Sequence, residues 1–353
     1  MSTIAPGSVT VTVGVDTHAD VHVAAALDRL GRVIERTSVA TTPAGHAQLL
    51  RWTVGLGSVS RFGVEGTGSY GAQLARDLRR AGHEVVEVDR PDRKTRRLRG
   101  KDDTIDAEAA ARAVLSGTAR GVPKTRDGQV EAIRALRVAR RNAVRGRTAA
   151  VNQIRALALS GPADLREQLR GLTVIKLVRA AAALRPGPDL TDPRAATKFA
   201  LREIARRHEF LTEQLSRVDA ALKPLVTTAA PTLIALHAVG IDTAGALIVA
   251  AGDNPDRLRS ESSWAHLCGV APLPASSGKT RRHRLNRGGD RQANNALWRI
   301  VLVRMGTDQR TRDYVDRRTK EGLSKPEIMR CLKRYVAREI YTALIGQPDP
   351  RHP

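Results

Sequence analysis

The sequence predicts a mixed α/β N-terminal domain, a long helical connector and a mainly helical C-terminal domain. Three observations carry this. Short Val-rich runs alternate with helical stretches over the first 120 residues, residues 127–225 hold few strand signals, and apolar helices beyond Pro231 are broken by a Pro/Ser/Gly loop. Strands are expected at 11–16, 21–28 and 33–40, which are Val-rich and parted by polar or Gly-containing turns, as in a hairpin meander. A helix over 44–54, a strand at 61–65, a helix over 69–81 and a strand at 84–89 bounded by Gly82 and Pro91 complete the order. Antiparallel strands followed by β-α-β match a ribonuclease H-like topology, although periodicity alone does not separate it from other mixed sheets.

Residues 90–101, RPDRKTRRLRGK, read as a basic DNA-facing loop, and the Ala-rich stretch 104–115 as a helix with acids in its first turn and Gly117 as its stop. The region 127–225 reads as long Ala/Leu/Arg-rich helices interrupted near Gly161–Pro162 and 186–193, forming a helical hairpin or coiled-coil arm, although its heptads are not clean. Apolar helices joined by a Gly-containing turn follow in LIALHAVGIDTAGALIVAAGD, and 324–344 is helical again. The expected division is 1–120, 121–228 and 229–353.

The balance of 59 Lys and Arg against 36 Asp and Glu gives a net charge of +23, an excess that folding does not require and that a polyanionic partner explains. Nucleic acid is favoured over a membrane surface, because no apolar stretch approaches the ~20 residues a span needs and no lipidation motif appears. Aromatic residues make up 3% of the chain, so phosphate contacts rather than base stacking are expected to hold the strand. Two cysteines, Cys268 and Cys331, and an N-terminus without signal-peptide character read as a reduced, cytoplasmic protein. His18 and His22 read as structural residues of a strand-like stretch.

Asp16 ends the first predicted strand in VGVDTH, Glu65 ends the fourth in GVEGTG, and Asp103 and Asp106 lie three apart at a helix start, on one face. Asp102, four residues before Asp106, shares that face equally well, and spacing does not choose between it and Asp103. Four acids converging there repel one another unless cations neutralise them. Mg²⁺ suits oxygen ligands, and two such ions ~3.5–4 Å apart clamp the oxygens of a phosphoryl transfer. Gly66, Gly68 and Gly71 also fit GxGxxG, with Glu87 and Asp89 about twenty residues on, the fingerprint of a dinucleotide site. Against it, the motif follows the fourth strand, and the Glu65 carboxylate would oppose a pyrophosphate.

A second constellation, PLPASSGKTRRHRLNR, places Ser276 and Ser277 before a run of cations, where a hydroxyl could attack a phosphodiester held by Lys and Arg. A Ser/Gly linker beside a solvated basic run is the plainer alternative. Expected phosphate contacts are Arg93, Lys94, Arg96, Arg97 and Lys101 in the first basic segment, and Lys279, Arg281, Arg282, Arg284 and Arg287 in the second.

VGVDTH, VEGTGSYG, GKDDTIDAEAAA and GVAPLPASSGKTRRHRLNRGGDRQANNALW together resemble the insertion sequence 110 family of transposases. The resemblance implies a RuvC-like N-terminal domain with a DEDD carboxylate set on Asp16, Glu65, Asp103 and Asp106, a helical connector, and a C-terminal transposase domain whose nucleophile is Ser277, with Ser276 the alternative. It implies one or two Mg²⁺ ions, replaceable by Mn²⁺, and DNA partners at the element ends and target. It also implies a structured guide RNA from the element, a homo-oligomer (dimer or tetramer), and work at the nucleoid of a prokaryotic cytosol. A Holliday-junction-type nuclease using water, and a basic nucleic-acid-binding protein whose acids are structural, are the rival readings. One departure stands in HAVGIDTA, where His237, Ala238 and Ile241 replace the proline, glycine and proline of the family's PGIGPxTA pattern.

Overall fold

A computed structural model of the chain describes residues 10–89, 102–279 and 283–345. The chain forms two compact units. The first holds the chain up to Gly128 together with Ala251–Ser260, and the second holds Gln129–Ala250 together with the chain from Glu261 onward. The returning segment Ala251–Ser260 is fastened within the first unit by side chain to backbone bonds. Asn254 Oδ1 accepts from Thr125 N at 3.2 Å, Asn254 Nδ2 donates to Pro123 O at 3.2 Å, and the Arg257 guanidinium donates to Val122 O at 3.2 Å.

The first unit is built on a five-stranded sheet of order β3-β2-β1-β4-β5. The strands are β1 (Thr10–Thr17), β2 (Val21–Leu27), β3 (Val33–Ala40), β4 (Ser58–Glu65) and β5 (Val85–Val88). β1, β2 and β3 form an antiparallel meander, and β4 and β5 run parallel to β1. The period-two alternation of β1 sends Val11, Val13 and Val15 to one face. There they pack with Ala24, Ala26, Phe62, Val64 and the apolar sides of α1 (Pro43–Leu56) and α2 (Ala72–Arg80), including Leu49, Leu74 and Leu78. α1 starts where expected because Thr42 caps it, its hydroxyl accepting from Gly45 N at 3.1 Å, with Pro43 in the first turn.

The opposite face is lined with small residues. Gly14 on β1, Gly63 on β4 and Ala25 on β2 let α3 (Asp103–Leu115) lie directly on the strands. A Cβ on Gly14 would stand 2.1 Å from Ala107 O and 2.3 Å from Ala111 N, and one on Gly63 would stand 2.6 Å from Val114 Cγ2. α3 answers with Ala107, Ala110 and Ala111, all buried.

Among the described residues, the second unit is helical apart from a short two-stranded ribbon. α4 (Gln129–Ser160) and α7 (Pro193–Ala229) form an antiparallel hairpin, joined through α5 (Ala163–Leu169) and α6 (Val174–Ala182). Its pairing runs from Gln129 against Leu225 at one end to Gly161 against Thr197 at the other. The buried positions of α4, from Ile133 through Ala143, Ala150, Val151, Ile154 and Ala158, do not follow an unbroken heptad seam. Beyond the hairpin come α8 (Pro231–Ile234), α9 (Ile241–Ala251), α10 (Glu261–Leu267), the ribbon β6 (Leu273–Pro274) and β7 (His283–Arg284), α11 (Arg291–Thr307), α12 (Gln309–Lys320) and α13 (Lys325–Ile345). Among the described residues no helix is long and apolar enough to cross a membrane.

Candidate active site

Asp16 and Asp103 come together at one end of the sheet, and the strands and α3 explain where Glu65 and Asp106 lie relative to them. Val15 of β1 pairs with Val64 of β4, so Asp16 and Glu65, next along each strand, leave neighbouring strands about 4.8 Å apart and on the same face. The Thr17 hydroxyl, donating to Glu65 O at 2.9 Å, ties the two strand ends together. That face is the one α3 covers, because Asp16 follows Gly14, and Glu65 follows Gly63, by two residues. The first turn of α3 carries Asp103 and Asp106. Asp16, Glu65 and Asp106 are all buried.

The geometry gives Asp102 and Asp103 different work. Asp102 caps α3: its Oδ1 accepts from Thr104 N at 2.8 Å and Thr104 Oγ1 at 2.6 Å, bonds that hold its carboxyl below the usual carboxylate range. Asp103 faces β1 instead. His18 Nε2 lies 3.0 Å from Asp16 Oδ2 and 3.3 Å from Asp103 Oδ1. Asp16, His18 and Asp103 each offer a ligand atom within 4.8 Å of the others, a set compatible with a divalent cation. Glu65 and Asp106 are not among those three.

Burial pushes the Asp16 carboxyl above its usual value, and Asp106 and Asp103 push the same way, while His18 opposes them. Removing a charged carboxylate from water beside two others is unfavourable until a cation shares the site. His18 was read from the sequence as structural, yet it stands between two carboxylates. The signal lay in the D-x-H order, since a residue just past a strand end can turn back over that strand's last acid.

The Gly-rich segment serves the turn beneath Glu65. Gly66 adopts φ +66°, and a Cβ on Gly71 would stand 2.8 Å from Glu65 O. Glu87, the acid a dinucleotide site would aim at a ribose, accepts from the Thr67 hydroxyl at 2.5 Å. Gly66 and Gly71 therefore have a local reason that needs no bound pyrophosphate.

Ser277 lies in the second unit, exposed, in the turn between β6 and β7, where Leu273 pairs with Arg284. Ser276 is exposed beside it, as are Lys279, Arg284 and Arg287. The ends of this loop are pinned backbone to backbone. A Cβ on Gly269 would stand 2.6 Å from Gly288 O and one on Gly289 2.6 Å from Gly269 N, while Asn294 Nδ2 donates to Cys268 O at 2.8 Å. Arg93, Lys94, Arg96, Arg97, Lys101, Arg281 and Arg282 fall outside the described residues.

In the second unit, the HAVGIDTA turn keeps a left-handed backbone at Ala238, φ +65°, although alanine stands where the resembled pattern has glycine. Asp242 just beyond it receives Arg137 Nη1 at 2.7 Å, Arg140 Nη1 at 3.3 Å and Arg299 Nη1 at 2.5 Å, joining α4, α9 and α11.

Sheet, glycine-seated helix and acid cluster define a mixed α/β protein with a divalent-cation-compatible carboxylate site, continued by a helical unit that presents an exposed serine among cations. Residues 13–160 match the DEDD transposase family of IS110, and residues 213–316 match the family described as Transposase IS116/IS110/IS902. The chain belongs to the IS110 family of transposases. It is also 29% identical over 125 residues to a Streptomyces coelicolor protein described as "Insertion element IS110 uncharacterized 43.6 kDa protein". That likeness covers 35% of this chain and 31% of the relative's length.

Proposed function

We propose that this chain is a DNA transposase that cleaves and rejoins strands to excise and insert a mobile element, using the Asp16 cluster together with Ser277. The observation that carries the reading is the convergence of Asp16 and Asp103, distant in sequence, on a face kept clear by Gly14 and Gly63. The strand order, with a central β1 whose last acid neighbours that of β4, supports a ribonuclease H-like or RuvC-like first domain. The expected three-part division gives this domain the carboxylates, the helical hairpin the connection, and the region from 229 the serine.

Asp16 and Asp103, which lie together with His18, would hold one or two Mg²⁺ ions with Glu65 and Asp106, Mn²⁺ would substitute, and His18 would add a nitrogen donor that suits Mn²⁺ more than Mg²⁺. When bound, the metal polarises the phosphate and stabilises the charge that develops on it. The chain's own residues supply the rest. Ser277 Oγ forms a bond to phosphorus as the bond to one deoxyribose oxygen breaks, and that departing oxygen takes up a proton matching the one lost from the serine. The phosphoserine ester keeps the bond energy, so attack by a deoxyribose hydroxyl reverses the step and rejoins strands. Lys279, Arg284 and Arg287, with the basic residues of the 90–101 segment, bind the flanking phosphates. A structured guide RNA, a dimeric or tetrameric assembly and action at the nucleoid complete the proposal.

The test is denaturing electrophoresis of end-labelled DNA after incubation with protein and Mg²⁺. The wild type is expected to give a covalent adduct that Ser277→Ala abolishes and that Asp16→Asn reduces by at least a hundredfold. An adduct persisting in Ser277→Ala removes the serine assignment. A second reading, a metal-dependent junction nuclease using water, is favoured by the carboxylates lying wholly within the first unit. It predicts hydrolysed strands and no adduct in either protein.

A further inference from the structure

A second site is built into the first unit, at the end of the sheet away from the carboxylates. A cavity of about 510 Å³ is lined by Arg61 of β4, Arg79 and His83 at the end of α2, Val85 and Val86 of β5, and Arg120 and Arg259 from the segments that close over it. Val85 and Val86 are buried and form an apolar floor, whereas Arg61, Arg120 and Arg259 are exposed. Four arginines line the cavity against one carboxylate, Glu84, which already accepts from Arg61 Nε at 3.0 Å.

The arginines divide by what they do. Arg79 donates to the carbonyls of Ala75 at 3.1 Å, Pro123 at 3.4 Å, Lys124 at 3.1 Å and Thr125 at 3.2 Å, so it holds the wall together. Arg120 uses Nε on Gly117 O at 2.6 Å, and Arg259 uses one terminal nitrogen on Arg120 O at 3.3 Å. Each backbone bond tethers a guanidinium and leaves further N–H donors on it. Two guanidinium forks pre-set in this way favour an oxyanion, because the entropy of ordering them is already lost on folding.

We propose that this cavity binds a phosphodiester of a nucleic-acid backbone, an anchor separate from the cutting site. The inference rests on the reading of the chain as a nucleic-acid-processing protein. Gly117, at the far end of α3, lines the cavity, and Asp103 begins that helix, so its 13 residues place the two sites about 20 Å apart along the helix axis. That separation corresponds to about six base steps of a duplex. A strand fits better than a free small anion because the free cations stand at the exposed rim, where one phosphate is screened by water but a polyanion gains by releasing counterions at many contacts.

The experiment measures binding of the full-length protein, by fluorescence anisotropy against salt concentration, to a labelled 30-base-pair DNA duplex and to a labelled 30-nucleotide RNA. Arg120→Gln with Arg259→Gln is expected to make the plot of log affinity against log salt less steep by about two for at least one probe. The probe affected identifies which strand occupies the cavity. The Arg120→Lys with Arg259→Lys protein keeps the charges and is expected to recover at least half of the lost slope, which a merely misfolded wall would not allow. Unchanged slopes on both probes overturn the inference, as do equal losses in the Gln and Lys proteins. Saturable binding of inorganic phosphate or adenosine monophosphate below about 100 µM that the Gln substitutions abolish also overturns it, in favour of a small-molecule site. Wild-type adduct formation is scored separately, so loss of this inference leaves the strand-transfer reading standing, and the reverse.

Discussion

Gly14→Ala tests the whole construction of the carboxylate site with a single methyl group. The added Cβ would lie 2.1 Å from Ala107 O, 2.3 Å from Ala111 N and 2.9 Å from Ala111 Cα, all backbone atoms of α3. Ordinary contact begins near 3.4 Å, so the helix must withdraw by more than 1 Å, and no side-chain rotation relieves the clash. Overpacking a well-filled interior costs about 1–3 kcal/mol, and rigid obstacles place this case at the upper end, about 3 kcal/mol. In a unit of this size that lowers the melting temperature by about 10 °C. The same withdrawal carries Asp103 away from Asp16 and His18, so affinity for Mn²⁺ should fall by at least tenfold. Circular dichroism melting and isothermal titration with Mn²⁺ read the two effects. Gly55→Ala is the control: it sits in α1 with nothing within 4 Å of the added carbon, and helix propensity predicts a gain of about 0.5–1 kcal/mol. A Gly14→Ala protein that melts within 2 °C of wild type and binds Mn²⁺ unchanged would refute the argument that these glycines seat α3.

Ala238→Gly should stabilise the second unit by about 1 kcal/mol, because φ +65° is unfavourable for alanine, and an unchanged denaturation midpoint would count against strain there. Asp242→Asn should cost about 2–3 kcal/mol, chiefly by leaving the largely buried Arg137 without its anion, since Arg140 keeps Asp219 and Arg299 is half exposed, a loss read by urea unfolding. Burial alone would raise the Asp242 carboxyl, but Arg137 and Arg140 hold it below its usual 3.8, so this contribution is present above that pH and disappears as pH falls through the lower folded value. His22 gives an acid limb of opposite origin. Burial first, then His46 and His18, lower it from 6.5 to about 4. Between those values the unfolded chain binds a proton that the folded chain refuses, so stability declines as pH falls from 6.5 toward 4, by at most about 3 kcal/mol. His22→Leu should flatten that limb of the stability curve, and a profile unchanged by the substitution would show that the ring titrates normally.

Much of the first unit was legible because its sheet is made of short Val-rich strands with one apolar face, and a period of two is hard to mistake. The strand ends at Asp16 and Glu65 were legible for the same reason. Choosing Asp103 over Asp102 was not, since both suit the start of a helix and only the cap bond from Asp102 to Thr104 separates them. His18 escaped because its role depends on the path of the chain after β1. The returning segment Ala251–Ser260 also escaped. Its attachment runs through Asn254 and Arg257 to backbone carbonyls more than a hundred residues away, and carbonyls leave no trace in residue identity.

That returning segment governs how the protein can be taken apart. A fragment ending at Gly128 would lack Asn254 and Arg257, stripping Thr125 N and the carbonyls of Pro123 and Val122 of their partners, and it would lose Arg259 from the basic cavity. The complementary fragment would still carry that strip, detached from the surface it was made to fasten. No single cut in the polypeptide releases either half whole, because the first unit is made of two stretches of chain with most of the second between them.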